Sequence, residues 1–429
     1  MHVFPLDEAL LARLPKRSLS ERGWQPVHVL YGGADRFARN TIPKLGKLAA
    51  LAFDKFAQGM SSDEAEQVFG TSTDVLARVR ARLVQTPIED FRIDFEDGLG
   101  PRTSSEEDAL ATRAGSELAH AMREGLSARR MGLRIRPLDA DTGARGLRTL
   151  TLFLTSLSAS LEGANITTEL MLTVPKVQHE ESVRIACEAL EALEQALQLA
   201  PGVVRLEAMI EDMASLEASL LHRVLEAGGA RLSSLHLGNY DLTASLGVLG
   251  PDQRFTHPAC DDALLRLQQA CAGTHVHVAA GATTRLPLAT SGNDAVDRAR
   301  VLGAWQEHAQ HVRHAMSFGV MQSWDLHPAQ LISRYAALFA FYDKHAAAMT
   351  ERGRSFFGQA ARAGAVGDAF DDAATGRGIA RFFARGVALG ALAPETLQAA
   401  GMTAEALTAW PEGARILASE QLTPLQHAP

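Results

Sequence analysis

The stretch FRIDFEDGLG, Phe91 to Gly100, decides how the rest of the chain is read. Phe91, Ile93 and Phe95 alternate with Arg92, Asp94 and Glu96, the period-two signature of a strand with an apolar face and a charged face. Working outward, similar short runs appear at VHVLYGG (Val27 to Gly33), GLRIRPL (Gly132 to Leu138), ELMLTVPKV (Glu169 to Val177), VVRLEAMIE (Val203 to Glu211), LSSLHLGNYDL (Leu232 to Leu242), HVHVAAG (His275 to Gly281) and VMQSWDLHP (Val320 to Pro328), which makes eight candidate strands. Helical patterns lie between them. Val183, Ala186, Leu190, Leu193 and Leu197 recur at spacing three and four, and Leu216, Leu220, Val224 and Leu225 do so until Gly228 and Gly229 stop them. Ser104 followed by Glu107 reads as a capping box that opens the helix after the second strand. Strand and helix in alternation give a parallel sheet, and eight such units close into a TIM (β/α)8 barrel. An open doubly wound sheet is the alternative.

The chain of 429 residues is 46% hydrophobic and 21% charged, so it can bury a large core and is not disordered. Its 42 basic and 50 acidic side chains leave a formal net charge of -8, which argues against nucleic acid as a partner. No apolar run approaches membrane-spanning length, and Asp7 and Glu8 interrupt the place where a signal peptide would be apolar. Cys187, Cys260 and Cys271 share no metal or redox spacing, so a cytoplasmic location is expected. The expected organisation is an N-terminal helical segment over 1–26 and a barrel over 27–345 with a helical insertion at about 45–85 after strand 1. A helical C-terminal extension over 346–429 follows.

Every second strand residue points into a barrel, so alternation sorts the polar groups. It turns Asp94 and Glu96 inward, pairs Arg134 with Arg136, sets Lys176 in phase with Val174 and Leu172, and puts Arg205, Glu207 and Glu211 on one face. Asp241 closes the sixth strand. Arg205 and Glu207 lie deepest and are assigned to a structural ion network; the others fall at the C-terminal ends of strands, where this fold builds its sites. Glu211 and Asp241, with waters, suit a hard ion such as Mg²⁺ or Mn²⁺, and no histidine pair supports zinc. Arginine beside such an ion can clamp a carboxylate and help stabilise an enolate.

The segments DFEDG (Asp94 to Gly98), LRIRPLD (Leu133 to Asp139), TVPKV (Thr173 to Val177), MIEDMASL (Met209 to Leu216), LGNYDLTASLG (Leu237 to Gly247) and WDLHPAQL (Trp324 to Leu331) stand in one order along the chain. Together they resemble the HpcH/HpaI aldolase and citrate lyase β-subunit superfamily, and more closely a longer subfamily of domain-of-unknown-function type, some members of which carry the name phosphoenolpyruvate kinase. No GKS or GKT phosphate loop supports that name. The resemblance implies a phosphoenolpyruvate/pyruvate-type barrel, Mg²⁺ held by Glu211 and Asp241, and a substrate carboxylate bound by Arg134. Asp94 and Glu96 would line the substrate, Asp97 would organise water, and Lys176 would add positive charge.

The departures shape the expectation. Arg136 stands where the superfamily usually has asparagine, pointing to a more anionic acid. The first strand offers His28 and Tyr31 in place of an arginine, and the insertion after it could fill the room of an acyl carrier, so a coenzyme A thioester is the lesser expectation. His327, at the end of the eighth strand, is a candidate acid or base, with helix capping as its competing role, and Asp97 and a metal-bound water are the other candidates for the base. Thr283, Thr284 and Arg285 form a minor candidate phosphate site, and Asp371 or Asp372 could complete a neighbour's site in a homo-oligomer. The expected activity is metal-dependent carbon–carbon lyase or aldolase chemistry on a small 2-oxo or hydroxy carboxylic acid. A phosphoenolpyruvate-utilising phosphoryl transferase and a non-catalytic binding member of the fold stay open as alternatives.

Overall fold

The computed structural model describes residues 22–360 and 373–423. Eight parallel strands, β1 (His28–Gly33), β2 (Asp90–Asp94), β3 (Arg130–Arg134), β4 (Glu169–Val174), β5 (Val204–Ile210), β6 (Leu232–Leu237), β7 (His277–Ala279) and β8 (Ser323–Asp325), are bonded in the order β7-β6-β5-β4-β3-β2-β1-β8. The ring closes because Ala280 N donates to Gln322 O at 2.9 Å, Trp324 N donates to Gly281 O at 3.2 Å, and Ala282 bridges Trp324. The fold is therefore a TIM barrel, not an open sheet with two free edges.

Register turns alternation into position. Gly33, Asp94, Arg134, Thr173, Glu207 and Ser234 stand side by side across six strands and face the interior. Leu30, Phe91, Ile93, Leu133, Leu172, Leu206 and Leu235 point the other way and are buried beneath the helices. Each such side chain contributes roughly 1.5–3 kcal/mol. A slip of one residue would drive Arg92 and Asp94 into that apolar layer, so the register is strongly fixed.

The helices follow their sequence signals with one shift. Helix Ala218–Gly228 ends at Gly229, whose φ of 47° an L residue rarely adopts. The capping box of helix Ser104–Arg123 is Thr103 with Glu106, one residue earlier than expected. Glu107 is thereby released to turn inward, where it is buried.

Helices Thr41–Phe56, Ser62–Phe69 and Thr73–Gln85 form the insertion after β1. Arg298 donates to Phe56 O and Arg313 to Phe69 O, both at 2.9 Å, and Trp305 packs on the Phe56 and Phe69 rings. These contacts seat the insertion on the outer helical layer. Helix Gln330–Ala360 runs without a break through the boundary expected at 345/346, and helices Ala373–Leu389, Glu395–Ala399, Ala404–Ala409 and Pro411–Ser419 extend the C-terminal part. Residues 22–26 carry no helix; the rest of the expected N-terminal helical segment, and Asp371 and Asp372, lie outside the described residues. No helix among the described residues is long and apolar enough to cross a membrane.

The segment WDLHPAQL locks β8 in place. Asp325 faces outward and receives Arg334 Nε and Nη2 at 2.7 Å each, while Arg334 Nη1 reaches Val27 O at 3.0 Å. Burial alone would raise the Asp325 carboxyl, but the guanidinium overrides it and holds the group well below the usual carboxylate range. Gln330 Oε1 accepts from Leu326 N and His327 N, and its Nε2 donates to Thr283 O, tying β8 to the segment after β7.

Candidate functional site

Asp94 stands opposite Arg134 in the ladder, so their pairing follows from register. Arg134 Nε donates to Asp94 Oδ1 at 2.8 Å and Nη2 to Oδ2 at 2.5 Å, the bidentate geometry that guanidinium planarity favours. Asp94 also accepts from Glu96 N at 3.0 Å and Gly98 N at 2.8 Å. Its oxygens are thus occupied in holding Arg134 and the turn, and a side chain at Gly98 would collide with them. The remaining edge of Arg134, Nη1, faces Glu96 Oε2 at 2.8 Å and Asp97 Oδ2 at 3.7 Å. The Glu96 contact is an ion pair without hydrogen-bond alignment, so this buried oxygen lacks a hydrogen-bond donor.

Lys176 follows the last residue of β4 by two positions and adopts φ 50°. That left-handed turn swings its backbone N–H onto Glu211 Oε2 at 2.7 Å and its Nζ to 3.1 Å from Glu96 Oε1 and 3.5 Å from Asp241 Oδ1. Glu211, just past β5, packs against Gly238, where any Cβ would overlap its carboxylate. Burial, and then the charge of Asp241, push the Glu211 carboxyl up to about 8. Asp241 does not close β6, as alternation had placed it. The strand ends at Leu237, and Asp241 sits half-exposed in the first turn of helix Asn239–Ser245.

Five carboxylates, from Asp94, Glu96, Asp97, Glu211 and Asp241, thus gather at the C-terminal mouth with two cations, Arg134 and Lys176. The cluster is short of positive charge. Among the described residues no three His, Cys, Asp or Glu side chains form a ready-made metal cage. The donor chemistry still fits a hydrated hard ion, because such an ion accepts one or two carboxylates and keeps waters, and the Glu211 carboxyl is pushed up by burial and by the charge of Asp241, which a bound cation would oppose.

Arg136 departs from the expectation. β3 ends at Arg134 and the chain turns, so Arg136 Nε and Nη2 go instead to Glu107 Oε2 at 2.9 and 2.8 Å. Arg145 lies 3.2 Å from the same carboxylate, and Thr149 donates to it at 2.7 Å. Arg136 therefore ties the turn after β3 to helix Ser104–Arg123, with its guanidinium on Glu107 instead of the carboxylates at the mouth. Arg136→Ala is expected to leave metal and acid binding unchanged in calorimetry while lowering stability by about 1–3 kcal/mol in urea titration.

His327 caps instead of facing the cluster: its Nδ1 accepts from Ala329 N at 3.2 Å. Burial lowers its pKa, and no ion pair or hydrogen bond among the described residues joins it to the carboxylates. Glu207 belongs to the deep network as expected, but Arg205 does not; it lies half-buried and donates to Arg231 O at 3.2 Å. Thr283 bonds His311, Thr284 bonds Tyr240 and Arg285 pairs with Glu307, so each minor phosphate candidate already has an internal partner. His28 is buried away from the mouth and accepts from Glu89 N.

Alternation in QSWDL could have revealed one element that went unread. Trp324 stacks on Tyr31 at 4.7 Å, and the Arg134 guanidinium lies 5.1 Å from the Tyr31 ring and 5.8 Å from the Trp324 ring. This aromatic wall shields one side of the arginine from water. Tyr31 Oη is buried without a hydrogen-bond partner. A cavity of about 1170 Å³ lies elsewhere, at the N-terminal mouth between Gln25, Met321, Tyr342 and Arg385. The convergence of charge, not cavity size, marks the site.

The fold is shared with solved structures. A citrate lyase from Burkholderia xenovorans LB400 is 20% identical, with 90% of this chain and 99% of that chain covered at a TM-score of 0.56. A Haloferax volcanii malate synthase is 12% identical, with 94% and 99% covered at 0.50. No curated protein matches the sequence. Residues 7–414 match the family described as Domain of unknown function (DUF6986), and the chain belongs to that family.

Proposed function

We propose that this protein is a Mg²⁺- or Mn²⁺-dependent carbon–carbon lyase or aldolase acting on a small 2-oxo or hydroxy carboxylic acid. The observation that carries the reading is the charge-deficient pair Glu211 and Asp241 placed beside a rigidly held Arg134 at the C-terminal mouth. Glu211 and Asp241 would hold the ion, which supplies Lewis-acid stabilisation to the oxygen of an enolate. Asp94 holds the guanidinium in place, and a substrate carboxylate would take over its Nη1 from Glu96 Oε2, 2.8 Å away. Tyr31 and Trp324 exclude water from that side. Asp97, largely exposed and 3.7 Å from Arg134, would take the proton of the hydroxyl that becomes a carbonyl as the carbon–carbon bond breaks. With Arg136 turned outward, one guanidinium and one ammonium face the substrate, which favours a single carboxylate over a dianionic or phosphorylated acid. The names of the two fold neighbours, a citrate lyase and a malate synthase, agree with carboxylic-acid chemistry.

Calorimetric titration of metal-free protein with Mg²⁺ and Mn²⁺, alone and with pyruvate, oxaloacetate, malate, phosphoenolpyruvate or acetyl-CoA, tests the reading. Metal binding that is lost in Asp241→Asn at an unchanged melting temperature, and keto-acid binding that needs the metal, are the expected results. If neither a metal nor any acid binds, the reading fails and the cluster is a structural ion network.

A further inference from the structure

We propose that Lys176 is the site's resident counter-cation and that its ammonium competes with a divalent ion for Asp241 and Glu96. The inference rests on the metal reading above and adds to it what sets the affinity. Lys176 touches three of the five carboxylates: its N–H holds Glu211, and its Nζ spans Glu96 and Asp241. The two arms differ in freedom. The N–H is fixed by the left-handed turn, whereas the ammonium ends a four-carbon stem and its side chain is 36% exposed. Arg134 cannot yield in the same way, because Asp94 clamps it and it is buried. Lys176 is therefore the cation able to leave.

An ammonium 3.5 Å from Asp241 and a divalent ion on the same carboxylate repel each other strongly in a partly buried site. The ammonium keeps the carboxylates compatible with folding when no metal is bound, and it weakens metal binding by the same contact. Once displaced from Asp241, it remains beside the mouth as a positive charge for an incoming anion.

Wild type, Lys176→Met and Lys176→Arg are to be titrated calorimetrically with Mg²⁺ at one fixed pH and ionic strength, and melted with and without Mg²⁺. The methionine variant is expected to bind Mg²⁺ about tenfold more tightly or better. It should also melt lower without metal and gain more from metal than wild type does, while the arginine variant, which keeps the charge, stays near wild type. Should Lys176→Met not fold, Lys176→Gln is read in the same way. If wild type binds Mg²⁺ and the neutral variants bind it no more tightly, the competition is overturned and the metal reading stands. If no variant binds Mg²⁺, wild type included, both are overturned.

Discussion

Arg92→Met is expected to lose about 3–5 kcal/mol of stability or more, a large part of what holds a typical domain folded. Arg92, Asp90 and Glu207 are completely buried in the barrel interior. The guanidinium bonds Asp90 and lies 2.7 Å from Glu207 Oε2, and its Nε also reaches Thr173 Oγ1 at 3.0 Å. Thr173 at 2.9 Å and Ser234 at 3.2 Å donate to Glu207, and His236 Nε2 lies 3.4 Å from it. Burial raises the Asp90 carboxyl to about 6 even with Arg92 opposing it. For Glu207 burial also pulls upward, yet Arg92 and His236 win and hold it well below the usual range. Removing the guanidinium leaves two buried carboxylates without their ion-pair partner, and Arg130 offsets them only in part. The urea midpoint of Arg92→Met should therefore fall steeply. Replacing the triad together, as Asp90→Leu, Arg92→Met and Glu207→Leu, should recover much of the loss, because apolar groups need no counter-charge. A single variant as stable as wild type would show that the network does not hold the barrel.

That network and the barrel around it were legible because alternation inside a bonded ladder is a geometric rule. FRIDFED put Arg92, Asp94 and Glu96 on one face, and VVRLEAMIE put Glu207 and Glu211 on one face, as the structure has them. The rule lapses at the last rung. Arg136, two residues past β3, follows the turn toward Glu107; Asp241, four past β6, is carried on a helix. Lys176 reaches the cluster against its phase: Leu172 and Val174 lie under the helices while Thr173 faces inward, and a φ of 50° reverses the direction. No composition or spacing signal announces such a dihedral in a non-glycine residue. His327 takes its capping role for a simpler reason, since in the phase of β8 it goes with the outward Asp325, whereas Trp324 and Leu326 face the interior cluster.

The last of these effects to be measured is the charge that the site itself lacks. Metal-free protein is expected to lose stability as pH rises from about 6.5 to 8, above the range in which Asp90 and the buried histidines act, and Glu211→Gln is expected to remove most of that loss. The sign follows from linkage. The folded-state pKa of Glu211 is pushed from an ordinary 4.5 up to about 8 by burial and by Asp241, so the folded chain binds the proton more tightly than the unfolded one. The stabilisation is complete below about pH 4.5 and is lost as pH climbs through about 8. Over that window it amounts to something on the order of 4 kcal/mol, and solvent entry at the mouth would reduce it. Asp325 and Glu207, held low by their partners, act in acid, whereas Asp90, raised to about 6, contributes equally in both proteins and only in the lower part of the window. Melting temperatures of wild type and Glu211→Gln should therefore lie together at low pH, where the wild-type carboxyl keeps its proton, and diverge at high pH with wild type the lower. A divalent ion replaces the missing proton as counter-charge, so Mg²⁺ should stabilise wild type more at high pH than at low pH and should leave Glu211→Gln unmoved. An equal slope in both proteins would mean that Glu211 ionises freely in the fold, and the charge deficit on which the metal reading stands would not exist.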